Sequence, residues 1–427
     1  MNSKKIAIIG GGISGLTLAY YFNKVHPNYT VHLFEKKQVF GGNIASTPYQ
    51  NRLICMGPKT VALKKDSQLY QLIQALRLQQ AIITPSVQAK KRYIVTDQTL
   101  HPLPTCMIDC LKSSFRGALW EILKEPWRKK GESQETVGAF FLRRFGPHVV
   151  QKIIDPLMKG IYAGGIDHIP VDYAFKALKN YEAEYGSVLI GFLRSKKNPR
   201  TIFSFEQGLV HLIDSLKNAI HGEFFLGEPV ESILAGQNQV QVQTTSRALF
   251  FDHAILACDP ASAIGLIPSI APFFQDGYWQ SITQVYIEFD EHFSLDGFGC
   301  LIPSSEQSII LGILFDSVIF PKKGFAGTAL TVMIEGVVDQ QQAKIMALQT
   351  LQTLLKIEKA PSYVQVNHYE NAIYAPPLDH QSIKDQLDRH LDQHHPRTHL
   401  LGGFFQGVGV ADQIENSYNF VKSFSSV

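Results

Sequence analysis

Lys5-Ile-Ala-Ile-Ile9 followed by Gly10-Gly11-Gly12-Ile13-Ser14-Gly15 is the stretch that decides the fold. An apolar run of strand length meets a turn that fits G-x-G-x-x-G, and Leu16, Leu18, Ala19 and Phe22 then carry a helical pattern. Gly10 permits the tight turn, Gly12 leaves room for a pyrophosphate, and Gly15 lets the helix pack closely on the strand. Phosphates in that position meet the positive end of the helix dipole. Val31-His-Leu-Phe34 reads as the second strand, and Glu35 stands about 20 residues past Gly15, where a carboxylate can accept both ribose hydroxyls.

Two other readings of these residues are weaker. Lys4 and Lys5 ahead of the mostly apolar Ile6 to Phe22 have the charge pattern of a secretory leader, but no small-residue cleavage site follows and three glycines would weaken the apolar helix. A glycine turn without a ligand leaves Gly41-Gly42, so soon after Glu35, unexplained.

At 427 residues, with 45% apolar and 18% charged content, the chain is long and ordered enough for two cores. A scattered net charge of +3 argues against nucleic acid as a partner. The five cysteines, Cys55, Cys106, Cys110, Cys258 and Cys300, lack paired metal-ligand spacing and read as reduced thiols of a cytoplasmic protein without a metal centre. Away from the glycine turn no apolar run reaches the roughly 18–20 residues of a spanning helix, so any membrane contact is expected at the surface.

Gly41-Gly42-Asn43, taken with Glu35 and the first turn, resembles the FAD-binding opening of the amine oxidase and protoporphyrinogen oxidase superfamily. Further segments follow the same resemblance. Gly57-Pro58-Lys59-Thr60 is similar to its second flavin element, with Lys59 as a cation near the pyrophosphate or ring. Val230, after Glu228-Pro, corresponds to the valine that covers the adenine. Leu400-Leu-Gly402-Gly403 through Gly407-Val408-Gly409-Val410 resembles the closing strand, turn and helix, whose N-terminus faces the flavin pyrimidine. The implied cofactor is non-covalent FAD, since no cysteine follows Cys300.

Within that superfamily the porphyrinogen oxidases are the nearest in pattern. Arg92-Tyr-Ile-Val followed by Leu100-His-Pro-Leu-Pro104 resembles the strand whose arginine holds a propionate, and Pro156 to Gly164 resembles their Pro-x-x-x-Gly-x-Tyr-Ala-Gly signature. Gly164 would let backbone approach a flat macrocycle. Alternation from Tyr286 to Gly336 suggests an antiparallel floor for the substrate, with Leu301, Ile313 and Met333 as its apolar contacts. Phe115, Leu119, Ile122 and Leu123 share a helical face rimmed by Lys112, Arg116, Lys124 and Arg128-Lys-Lys130, a pattern that suits an anionic membrane surface or a core helix equally.

The expected architecture is a doubly wound α/β FAD domain (1–85, 201–262 and 371–427), interrupted by a helical part (86–200) and an antiparallel substrate sheet (263–370). The resemblance implies a six-electron oxidation of protoporphyrinogen IX or coproporphyrinogen III in haem biosynthesis, with molecular oxygen as acceptor and hydrogen peroxide as product. Hydride would pass to flavin N5, and no dedicated general base is identified. Another amine oxidase or polyene desaturase, or a non-catalytic carrier on this fold, stands as the alternative. A tetrapyrrole substrate, a membrane surface and ferrochelatase are the implied partners of a cytoplasmic or peripheral protein; monomer and dimer both remain open.

Overall fold

The computed structural model describes residues 4–424 apart from 51, 105–108, 110–115, 132–133, 196–198, 237, 322–324 and 405–406. Lys112, Phe115, Cys106 and Cys110 therefore lie outside the described residues. The chain divides into two compact units. One comprises Met1–Ile83, Asn198–Gly277 and Asp379–Val427, the other Thr84–Lys197 and Tyr278–Leu378.

In the first unit the apolar run becomes the strand Lys4–Ile9, with Ile6, Ala7 and Ile8 fully buried. A strand apolar on both faces belongs in the middle of a covered parallel sheet. The order is Gly222–Leu226, Tyr29–Glu35, Lys4–Ile9, His253–Leu256 and Thr398–Leu400, parallel throughout. Helix Ile13–Val25 packs beside helix Val410–Ser423, and Leu16, Phe22, Phe203, Phe205, Leu216, Ile414 and Val421 share one core. The third crossover between units falls after Gly277 rather than after residue 262. The cause is packing: Pro260–Leu266 lies against the strand Val230–Ala235, and Pro268–Phe274 against helix His380–His394, both elements of the first unit.

The second unit is built on a seven-stranded sheet in the order Tyr363–Ala375, Tyr278–Phe289, Thr328–Glu335, Ile310–Leu314, Gly299–Leu301, Tyr93–Thr96 and Thr99–Pro102. All pairs are antiparallel except Gly299–Leu301 with Tyr93–Thr96. One face, carrying Val285, Ile287, Ile313, Leu330, Val332 and Ile334, forms a core with Ala343, Ala347 and Leu351 of helix Gln340–Leu355. The opposite face carries Leu301, Gly312, Met333, Gln284 and Asn367 in one cross-strand row.

The helical part of this unit includes Arg116–Lys124, Val137–Phe145, Asp155–Tyr162, Val171–Tyr185 and Val188–Arg194. Its interior is held by charge as well as by apolar packing. Arg144 and Glu125 are paired with neither exposed, and Arg143 bridges Glu135 and Glu182. The expected apolar face of the first of these helices divides: Leu119 is buried with Ala118, Ile122 is half-buried, and Leu123 is exposed with Trp120 and, further on, Trp127. Helical spacing allowed two faces, and the larger aromatic residues took the outer one. Among the described residues no helix is long and apolar enough to cross a membrane.

Candidate flavin site and substrate face

The glycines of the first turn divide by what a side chain would meet. Gly10 has φ +112°, and a Cβ there would lie 2.7 Å from the Ala257 carbonyl oxygen. At Gly15 a Cβ would lie 1.9 Å from the Gly10 carbonyl oxygen, so helix and strand touch through backbone. Gly12 differs, because a Cβ there meets nothing nearer than Gly42 Cα at 3.9 Å. Packing therefore does not demand glycine at 12, and the open space is where a ligand's phosphate would approach. Gly12 is also the N-cap of helix Ile13–Val25, with no side-chain cap and no acidic residue in the first turn. That end offers backbone N–H groups and a positive dipole end to an anion.

Glu35 closes the other side of the cradle. Its carboxylate is 7% exposed and accepts the Gly11 N–H and the Lys37 N–H, each at 2.8 Å, one on each oxygen. A carboxylate has about four acceptor positions, so both oxygens keep capacity for ribose hydroxyls. The Gly41 N–H donates to the Gly11 carbonyl at 2.9 Å, which joins the second glycine pair to the first turn. Gly227 and Glu228 donate N–H groups to Lys37 and Glu35 carbonyls, bringing the strand that begins at half-buried Val230 to the Glu35 end.

The closing element reaches the same turn. Ser14 Oγ donates to Gln413 Oε1 at 2.8 Å, Gln413 Nε2 donates to the Gly407 carbonyl at 2.6 Å, and Ser417 Oγ donates to the Ser14 carbonyl at 3.2 Å. Gly409 caps helix Val410–Ser423, with Val408 half-buried before it and Gly403 beside the Gln413 amide. Gln413 and Ser417 escaped the sequence reading because their partner lies about 400 residues earlier in a cradle whose geometry only the fold reveals. Gly57, at φ +74°, turns the chain after strand Arg52–Met56; Pro58 is exposed, and Lys59 and Thr60 are half-buried. Beside the first turn, burial pushes the Cys258 thiol up to about 12, which favours its protonated form.

In the second unit, Leu301 and Met333 share the sheet face away from helix Gln340–Leu355, whereas Ile313 does not. Ile313 is a core residue, 1% exposed, and the expectation of a substrate contact there is corrected. The reason is a bulge between Ile310 and Gly312: alternation counted from buried Ile310 would place Ile313 on the open face, and the extra residue reverses it. Gly164 lacks a side chain for a reason internal to the unit, since a Cβ would lie 2.3 Å from the Tyr278 ring. Arg92 is exposed just before strand Tyr93–Thr96, with its guanidinium 5.4 Å from the centre of the Phe298 ring.

A model of the family described as flavin containing amine oxidoreductase matches residues 13–407. The chain belongs to that family. The cofactor is FAD, and the glycine turn and the Glu35 carboxylate are the groups that would receive its pyrophosphate and ribose. This oxidoreductase is 26% identical to a Schizosaccharomyces pombe protoporphyrinogen oxidase, with 99% of each chain covered. It is 27% identical to the Homo sapiens protoporphyrinogen oxidase, covering 97% of this chain and 96% of that one. To a Staphylococcus aureus coproporphyrinogen III oxidase it is 24% identical, covering 96% and 97%. A solved protein of Exiguobacterium sp. 255-15 superposes with TM-score 0.87 at 21% identity over 99% of both chains. Cyclohexylamine oxidase from Brevibacterium oxydans shares the fold at TM-score 0.69 and 14% identity, over 98% of this chain and 99% of that one.

Proposed function

We propose that this flavin oxidoreductase converts a porphyrinogen, protoporphyrinogen IX or coproporphyrinogen III, to the porphyrin, with oxygen as acceptor and hydrogen peroxide as product. The observation that carries the reading is end-to-end similarity to enzymes of both names, beside fold-level likeness alone to an amine oxidase. When bound, FAD supplies the redox chemistry. The protein's part is placement: Gly12 and the helix behind it receive the pyrophosphate, Glu35 the ribose, and Gly407 to Val410 the ring end. Leu301 and Met333 offer a flat macrocycle an apolar face, and Arg92 holds a propionate through its fork.

The same reading places the protein in the cytoplasm with the helical part on a membrane surface and the product passed to ferrochelatase. Exposed Trp120, Leu123 and Trp127, together with Phe192 and Leu193, support the membrane contact. The test is aerobic incubation of the yellow protein with chemically reduced copro- and protoporphyrinogen, read by porphyrin fluorescence and peroxide formation. Failure to accelerate either oxidation above the enzyme-free rate would refute the proposal.

A further inference from the structure

Lys159 lies on helix Asp155–Tyr162 and is 6% exposed. Its ammonium has one protein acceptor among the described residues, the Ser308 carbonyl at 3.1 Å. An ammonium has three N–H donors, and burying a charge is costly unless it is paired. No carboxylate of the described residues lies within 4.0 Å of it.

The surroundings are built rather than accidental. One turn earlier, Asp155 accepts the Ser304 N–H and hydroxyl, both at 2.7 Å, and so fixes the loop that Lys159 touches. At Gly160 a Cβ would lie 2.6 Å from Leu301 Cδ2, so the helix sits directly on the sheet face that carries Leu301. Lys159 lines a cavity of about 280 Å³ with Gly164, Gly165, Ser304, Gln307, Ser308, Ile309 and Glu335. The Ser308 hydroxyl, the Gln307 amide and the Lys159 ammonium therefore border a space large enough for a carboxylate.

We propose that Lys159 anchors a carboxylate of the substrate in this cavity, at a subsite separate from Arg92. The inference rests on the porphyrinogen reading and deepens it. Arg92 lies at one end of the strand Gly299–Leu301, where Phe298 donates its N–H to the Lys91 carbonyl. Ser308, which holds Lys159, lies beyond the other end, where the Ile302 N–H donates to Leu311 just after the Ser304–Gln307 turn. Two cations thus flank the strand that presents Leu301. A flat ring with carboxylates on two edges, rather than one, is the ligand class that meets both. Glu335 lines the same cavity and disfavours a second anion there.

Equilibrium titration of the FAD-loaded protein with coproporphyrin III, followed by the Soret band, tests this in wild type, Lys159→Met, Lys159→Arg and Glu335→Gln. Lys159→Met should weaken porphyrin binding about 10- to 100-fold, the range of one charge-assisted contact. KM for the porphyrinogen should rise in step, with kcat and FAD content unchanged. Lys159→Arg should retain most of the affinity, and Glu335→Gln should tighten binding. Wild-type affinity in Lys159→Met would overturn the assignment. So would equal losses in the Met and Arg variants accompanied by a lower Tm, the mark of a purely structural tie to the Ser308 loop. Binding is read without turnover, so a protein that binds porphyrin through Lys159 yet oxidises no porphyrinogen refutes the oxidase reading and leaves the subsite standing.

Discussion

Replacing Arg144 with methionine isolates the charge network of the helical part. Arg144 is fully buried; its Nη2 donates to Glu125 and to the Gly186 carbonyl at 3.1 Å, and its Nη1 to the Arg128 carbonyl at 2.8 Å. Glu125, also fully buried, in turn accepts the Ser187 hydroxyl and the N–H groups of Val188 at 2.9 Å and Leu189 at 3.2 Å, capping helix Val188–Arg194. Arg143, Arg144 and Lys179 oppose Glu125, Glu135 and Glu182, so the network is balanced as it stands. The variant leaves a buried carboxylate without its cation, and removing one partner of such a pair costs about 3–5 kcal/mol. The double variant Arg144→Met with Glu125→Gln should cost less than the sum of the two single changes, because no isolated charge is left behind. Amide hydrogen exchange over peptides spanning 116–195 reports the local opening free energy, which a global melt of two units would blur. Wild-type protection in Arg144→Met, or strictly additive losses in the double variant, would refute the reasoning.

Gly12→Val should fold with wild-type Tm and lose FAD, because a Cβ there meets only Gly42 Cα, at an unstrained 3.9 Å, but occupies the phosphate approach; in the wild type, acid precipitation should leave the yellow colour in the supernatant, and normal flavin content in the variant would misplace the cradle. Trp120→Ala with Trp127→Ala should reduce sedimentation with phosphatidylglycerol vesicles, residual binding falling further with salt as the exposed basic rim is screened, and equal sedimentation of variant and wild type would remove the membrane proposal. Burial, with His399 and Arg397 beside it, lowers the His253 pKa from 6.5 to about 4, so the folded protein keeps this imidazole neutral. The unfolded chain therefore takes up the extra proton between these values: the contribution is complete above about 6.5 and is lost as pH falls towards 4. His253→Phe should flatten that part of the stability profile, whereas parallel acid losses in both proteins would assign the effect elsewhere.

What could be read from the sequence was whatever local backbone geometry demands of residue type. Gly10 and Gly15 are required by a positive φ and by a backbone contact, and Glu35 by its place after the second strand, so their offsets carry the cradle. The first strand, ending at Ile9, was legible because a short apolar run closed by a glycine turn has few homes but a covered parallel sheet. Faces were harder to read. Leu119 and Trp120 are adjacent on one helix, and periodicity defines two apolar sides without saying which turns inward. Ile313 was misplaced because one extra residue in the strand reverses every side chain after it. Lys159 with Ser308, and Ser14 with Gln413, join residues 149 and 399 positions apart, and no periodic pattern records such meetings.

The Ser14–Gln413 bond also orders events in time. At roughly 5–20 residues per second of synthesis, about 20–80 s separate the appearance of the glycine turn from that of the glutamine that ties it down. The strands His253–Leu256 and Thr398–Leu400 that flank the first strand on one side arrive in the same interval. A growing chain therefore exposes an anion-seeking loop on an unfinished sheet for most of its time on the ribosome, with the neighbouring strand edge unpaired. The ties from Gln413 and Ser417 to the Ser14 end of the turn form only when helix Val410–Ser423 docks. A chain cut short before that helix lacks both ties, and one cut before Thr398 or before His253 also leaves the edge of His253–Leu256 or of Lys4–Ile9 unpaired and open to proteolysis and aggregation.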